Sequence, residues 1–282
     1  MSSLRGPILI GAICLGGALG VTALVIPLLG LRKRNYLGAL IPVGWGLAPA
    51  AATLAALGLA GPAAGVPAAQ RTAFMFALAG FAGLGLVDDL WGTREHTGLR
   101  GHLNALIRRR TVTTGLLKAV GGALLAVTIP LVVLQEPIAP ALLAGGLIAL
   151  GANTVNLLDL RPGRAGASAL CAGAALAVML ALGGRAGAAA TVGYLLAALL
   201  PVYVADRCAR AMLGDVGSNS LGACLGLAFA IAFPSFLVRG ATVVLLLALH
   251  VAAERVSLSA VIERTPCLRA LDRLTGVRPP HG

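Results

Sequence analysis

Charge is what this chain has least of. Only 11% of its 282 residues are charged and 4% are aromatic. Soluble domains carry about 25% charged residues, so a water-soluble globular fold is excluded. The few aromatics are not interleaved with Lys/Arg runs, which excludes a base-stacking surface. The formal charge of +12 is therefore no sign of nucleic acid. The cysteines Cys14, Cys171, Cys208, Cys224 and Cys267 show no paired spacing. They read as small buried hydrophobes rather than a disulfide framework. His96, His102, His250 and His281 lack metal-ligand spacing and read as structural. Lysine is almost absent: Lys33 and Lys118 stand alone among arginines.

What the chain has instead is apolar length. Hydrophobic residues make up 58% and the mean hydropathy is +0.92. Apolar runs cover about 7–31, 43–60, 72–87, 113–134, 138–158, 165–182, 186–205, 221–238 and 241–253. A span needs roughly 18 or more such residues. The expected fold is all-α, a polytopic helical membrane protein with about nine transmembrane helices. The first run is too long for a signal-peptide core and shows no cleavage site before Arg32-Lys33-Arg34, so it reads as a retained span. Abundant Gly and Ala suit close helix packing in lipid. Two parts are expected: a transmembrane domain, 1–253, and a polar, amphipathic tail, 254–282. In the tail Leu258, Val261, Ile262, Leu268, Leu271 and Leu274 form an apolar pattern interrupted at Pro266. Such a tail either lies on the membrane surface or packs on a neighbouring loop.

Of the 22 basic residues, only Arg5, Arg71, Arg185 and Arg239 fall on one side when loops are assigned alternately. Basic loops stay in the cytoplasm, which places the amino terminus outside and the carboxyl terminus inside. The acids follow the same split: Glu136 alone lies outside. Carboxylates at the ends of apolar segments are costly unless paired, hydrated or metal-bound.

Three polar sites punctuate the apolar runs. Asp88-Asp89 closes the third run, and adjacent carboxylates suit a hard cation or base work. The plainer reading is a solvated helix end. Asn153, Asn156 and Asp159 recur every third residue, within a sector of about 120° on a helix. They suit a hydroxylated or phosphorylated ligand, or equally interhelical hydrogen bonds. Leu213-Gly214-Asp215-Val216-Gly217-Ser218 places a carboxylate between glycines, where backbone can approach a ligand. Gly217-Ser218-Asn219-Ser220 is expected to open the next helix and to offer free N–H groups to phosphate. The plainer alternative is a capped turn. Lys118, one turn inside its run, either snorkels to the interface or reaches a phosphate. Arg108-Arg109-Arg110 reads as a lipid-headgroup anchor.

In this order, the three sites resemble the polyprenyl-phosphate N-acetylhexosamine-1-phosphate transferase superfamily, glycosyltransferase family 4. That superfamily includes bacterial phospho-N-acetylmuramoyl-pentapeptide transferase. The paired-aspartate motif resembles Val87 to Leu90, the Asn-x-x-Asn-x-x-Asp motif Asn153 to Asp159, and the Gly-Asp-x-Gly-Ser motif Gly214 to Ser218. The loop Asn35 to Gly46 sits where the family has a substrate loop. The resemblance implies a Mg²⁺-dependent enzyme (Mn²⁺ being the alternative ion) that uses polyprenyl phosphate and a UDP-sugar in cell-wall biogenesis. It also implies residence in the cytoplasmic membrane, and family members often form homodimers. By resemblance Asp215 is the metal ligand, and Asp88, Asp89 and Asp159 are catalytic. Lys118, Asn153, Asn156 and Asn35 then bind substrate. The chain departs from the family in its missing histidine-rich loop, its missing tenth span, Leu160-Arg161-Pro162 in place of a Gly-x-Asp sequence, and Met212 where an aromatic often stands. The alternative is a catalytically silent relative that binds polyprenyl phosphate or a partner enzyme as a scaffold. The charge asymmetry is directly checkable: a reporter fused after Gly282 should read out as cytoplasmic, and an extracytoplasmic signal would reverse the topology.

Overall fold

A computed structural model describes residues 5–35, 38–92 and 113–277. His96, His102, Arg108 to Arg110 and His281 lie outside these residues. The helices run in chain order as α1 (Arg5–Leu29), α2 (Leu47–Ala60), α3 (Ala68–Trp91) and α4 (Thr114–Thr128). Then come α5 (Ile138–Leu158), α6 (Arg164–Leu182), α7 (Ala186–Arg207), α8 (Gly214–Ala232) and α9 (Phe236–Arg255). Two short helices follow, α10 (Leu258–Arg264) and α11 (Pro266–Thr275). Among the described residues 7 helices, α3 to α9, are long and apolar enough to cross a membrane, with α4 counted through Val133. The protein is an all-α polytopic membrane protein.

Punctuation in the sequence sets the ends. Pro67 and Pro137 stand at the N-caps of α3 and α5. The Thr113 hydroxyl caps α4 by accepting the Leu116 N–H at 3.2 Å. Pro130, lacking an N–H, coincides with a single wide turn, Ile129–Val133, in which the Leu134 N–H reaches back to the Ile129 carbonyl.

The principal correction is to α8. The apolar run starts near Leu221 with Gly217–Ser220 expected to open the helix, yet the helix starts at Gly214, so Gly217, Ser218, Asn219 and Ser220 lie inside it. Their polar groups are absorbed locally: Ser220 Oγ donates to the Val216 carbonyl (2.7 Å) and Asn219 Nδ2 to the Asp215 carbonyl (2.7 Å). Small side chains make this segment the centre of the bundle, packed chiefly by α5 and α3. A Cβ on Gly222 would collide with the Gly151 backbone of α5, and one on Gly85 of α3 with Asp215. That contact is backbone to backbone, the way helices gain packing where lipid supplies no hydrophobic drive. On the flank, α1, α2 and α7 pack together.

The second correction is the turn after α8. It was expected at Arg239-Gly240 and falls instead at Phe233–Ser235, because Pro234 disfavours helix at the residue before it. Arg239 is thereby drawn into the first turn of α9 and is 3% exposed. Its guanidinium donates to both oxygens of Glu136 (2.6 and 3.0 Å) and to the carbonyls of Phe233 and Ala230. This buried pair ties the α4–α5 turn to the start of α9, a helix that otherwise packs mainly on α5. Removing Arg239 leaves the part-buried Glu136 carboxylate and the two carbonyls without their donor, a cost of roughly 1–3 kcal/mol. Arg239→Ala should therefore lower the thermal unfolding temperature in detergent markedly, and Arg239→Lys should recover little of the loss, since a single ammonium cannot replace the fork.

Candidate active site

The site forms where α3, α4, α5 and α8 end beside the basic loops. Arg32–Arg34 and Leu40–Pro42 pair as antiparallel strands β1 and β2, with Lys33 opposite Ile41. The loop expected from Asn35, Gly38 and Pro42 is thus a hairpin. Its exit is clipped to the segment before α8: the Met212 N–H donates to the Pro42 carbonyl (2.9 Å), and the Trp45 and Gly46 N–H groups donate to the Met212 and Leu213 carbonyls. Gly214 then turns with φ +76°, a conformation costly for any residue with a Cβ, and a Cβ there would also press on Asp89.

The acids converge on this turn. Lys118 of α4 bridges two of them, donating to Asp88 Oδ2 at 3.1 Å and Asp215 Oδ2 at 2.5 Å. The Asp88 and Asp215 carboxyl groups are themselves within hydrogen-bonding reach of each other. All three side chains keep about a fifth of their surface open, 21–23%. Asp89 is different. Its side chain is 1% exposed, one oxygen accepting from Lys33 Nζ (3.0 Å) and the other from the Val216 N–H (3.1 Å). The neighbours Asp88 and Asp89 therefore do separate work: one faces the open cluster and the other holds backbone.

Asp159 caps α5 and accepts a hydrogen bond from the Gly214 N–H. One edge of it stays open to a cleft also lined by Asn35, Arg161, Pro162, Asp206 and Met212. Burial, followed by the carboxylates of Asp206, Asp215 and Asp89, pushes its carboxyl well above the usual carboxylate range. Asn156 accepts from Ser218 Oγ at 3.0 Å, joining α5 to α8. Asn153 is exposed and makes no side-chain hydrogen bond among the described residues, so it is not drawn into the cluster. Asn35 caps its own hairpin turn, accepting the Ala39 N–H on Oδ1, and lines the cleft.

The expectation of free α8 N–H groups facing a phosphate is corrected in detail. The N–H groups of Gly214 and Val216 are taken by Asp159 and Asp89. The positive end of the helix dipole thus serves the chain's own carboxylates. Lys33 and Asp206 were not singled out from the sequence. Lys33 could have been, as one of two lysines; Asp206 sat unmarked in a polar loop, and its 2.9 Å contact with the Gly163 N–H depends on tertiary packing.

A family model for glycosyl transferase family 4 matches residues 71–233. The match covers more than half the chain and runs from α3 to the end of α8, so it includes all three acidic motifs. The protein belongs to this family, whose members transfer phospho-sugars to polyprenyl phosphate. A comparison with curated proteins finds no match.

The division between the two aspartates is measurable. Asp89→Ala leaves the Val216 N–H and the Lys33 ammonium without their partner, a cost of roughly 1–3 kcal/mol. It should lower unfolding temperature, whereas Asp88→Asn, at the open cluster, should leave that temperature nearly unchanged.

Proposed function

We propose that the protein transfers a phospho-sugar, in the first instance phospho-N-acetylhexosamine, from a UDP-sugar to polyprenyl phosphate at the cytoplasmic face of the cell membrane. A lipid phosphate oxygen bonds to the β-phosphorus of the UDP-sugar while the bond from that phosphorus to the bridging oxygen breaks. The products are a polyprenyl-diphospho-sugar and UMP. Phosphoryl transfer needs positioning and charge neutralisation more than reactive side chains. The observation that carries this reading is Lys118 held between Asp88 and Asp215 at the start of α8.

In this reading Asp88 accepts the proton of the lipid phosphate. Lys118 exchanges its carboxylate partners for phosphate oxygens as charge builds on them. Asn156 and Asp159 orient the donor, Asn35 contacts it from the edge of the cleft, and Asp89 keeps the Gly214 turn in place. Burial at the bundle end limits water that would hydrolyse the donor.

Mg²⁺ fits the donor set. Among the described residues no three His, Cys, Asp or Glu side chains form a closed cage. Two convergent carboxylates remain, and Mg²⁺ is commonly held by one or two carboxylates together with substrate phosphates and water. Asp215 would hold it together with the substrate phosphates, and it would supply charge neutralisation of the diphosphate.

Purified protein given labelled UDP-N-acetylhexosamines, polyprenyl phosphate and Mg²⁺ should form lipid-linked product with matching UMP release. Asp215→Asn should cut turnover by about 10²-fold or more, as loss of a transition-state charge partner does. Wild-type protein that releases no UMP with any common UDP-sugar would instead support a catalytically silent, lipid-binding relative.

A further inference from the structure

Outside the residues that match the family, the tail packs behind the loop that lines the cleft beside Asp159. Arg164, the first residue of α6, is buried and donates from Nε and Nη2 to the two oxygens of Asp272 in α11 (2.8 and 3.2 Å). Its third nitrogen donates to Ser259 Oγ of α10 at 3.0 Å. The end of α11 is locked to α7: Tyr203 Oη donates to the Thr275 carbonyl (3.2 Å) and the Val277 N–H to the Arg207 carbonyl (2.8 Å). Between these ties the tail backbone presses on the loop after Asp159. A Cβ on Gly276 would collide with the Pro162 carbonyl, and one on Gly163 with the Thr275 carbonyl. Gly163 sits at φ +75° and gives its N–H to Asp206. Arg161 and Pro162, the other side of that loop, face the cleft.

We propose that the Arg164–Asp272 bridge is a positioning element: it wedges the tail behind the Arg161–Gly163 loop and so sets the affinity of the adjoining cleft for the donor nucleotide. The assignment of the cleft to the donor rests on the transferase reading; the wedge itself does not. The opening is lined by Arg161, which also pairs with Glu263 of α10 (3.6 Å), by the Asn35 amide and by the acids Asp159 and Asp206, a hydrogen-bonding set that suits the nucleoside end of the donor, with its diphosphate at Lys118. The cluster of Asp88, Lys118 and Asp215 stands on α3, α4 and α8, none of which the tail wedges. Loosening the wedge therefore weakens donor binding and spares the chemical step. Removing Asp272 leaves a buried guanidinium uncompensated, and small displacements of a binding wall are enough to change affinity.

The test compares wild type, Asp272→Asn, Asp272→Glu and the milder Ser259→Ala, each as the full chain in detergent. Calorimetry gives the Kd for UMP, and steady-state kinetics give KM for the UDP-sugar and kcat. Asp272→Asn should raise Kd and KM about tenfold, with kcat within about threefold. Asp272→Glu should recover most of the loss, and Ser259→Ala should shift both constants in the same direction by less. Unchanged Kd and KM in a variant that still turns over would overturn the wedge and leave the transferase reading standing. So would kcat falling in step with unfolding temperature while KM holds, the signature of a merely structural tie. Wild-type protein that neither turns over nor binds UMP would overturn the transferase reading and, with it, the donor's place in the cleft.

Discussion

The N-terminal turn of α8 is held by carboxylates supplied by other helices, and the site depends on that arrangement. A helix start has N–H groups with no partner in the helix. Here Asp89 of α3 takes the Val216 N–H and Asp159 at the end of α5 takes the Gly214 N–H. The same contacts therefore cap the central helix, fix α3 and α5 against it, and gather negative charge at one spot. The charge is tolerable because two lysines answer it, Lys33 on the buried acid and Lys118 on the open pair. A closed ion pair in this setting contributes less to stability than its short distances suggest, since both charges lose hydration. What it secures is geometry: Asp88 and Asp215 meet although they are far apart in the chain.

Much of this is legible in the sequence. The nine apolar runs correspond to α1 through α9 in order, and among the described residues α3 to α9 are long and apolar enough to span. Asp88, Lys118 and Asp215, read from the sequence, meet in one cluster, while Asp159 opens to the neighbouring cleft and Asn156 bonds Ser218. Polarity set the start of α8 too late: a Gly-, Ser- and Asn-rich stretch reads as a helix opening or a capped turn, when it lies inside a buried helix that starts at Gly214. Small polar side chains that bond back to their own helix cannot be told from turn formers by composition. Arg239 misled for a related reason, since a basic residue reads as a loop marker until its partner, Glu136, is known. The difference between Asp88 and Asp89 was not legible at all. Adjacent residues on a helix point about 100° apart, and only the packing of the hairpin and α8 decides which of them is sealed.

The tail shows how a local rule can serve two outcomes. Its apolar pattern left open whether it lies on the membrane or packs on a loop. Pro266 does not break the pattern so much as start a new helix, α11, with proline in its first turn, where the missing N–H costs nothing. Asp272 then faces Arg164, while Leu271 and Leu274 stay largely exposed at 60% and 72%. The helix is tied to the protein on one flank and keeps an apolar stripe on the other.

Arginine and lysine are also divided by task. Of the 22 basic residues, all but Lys33 and Lys118 are arginines, whose charge is permanent and whose forks suit anchors such as Arg164 and Arg239. Both side-chain amines end on the acidic ring, at Asp88, Asp89 and Asp215. Acetylation, or any other chemistry selective for amines, would thus strip positive charge from the ring while leaving the arginine girdle at full strength.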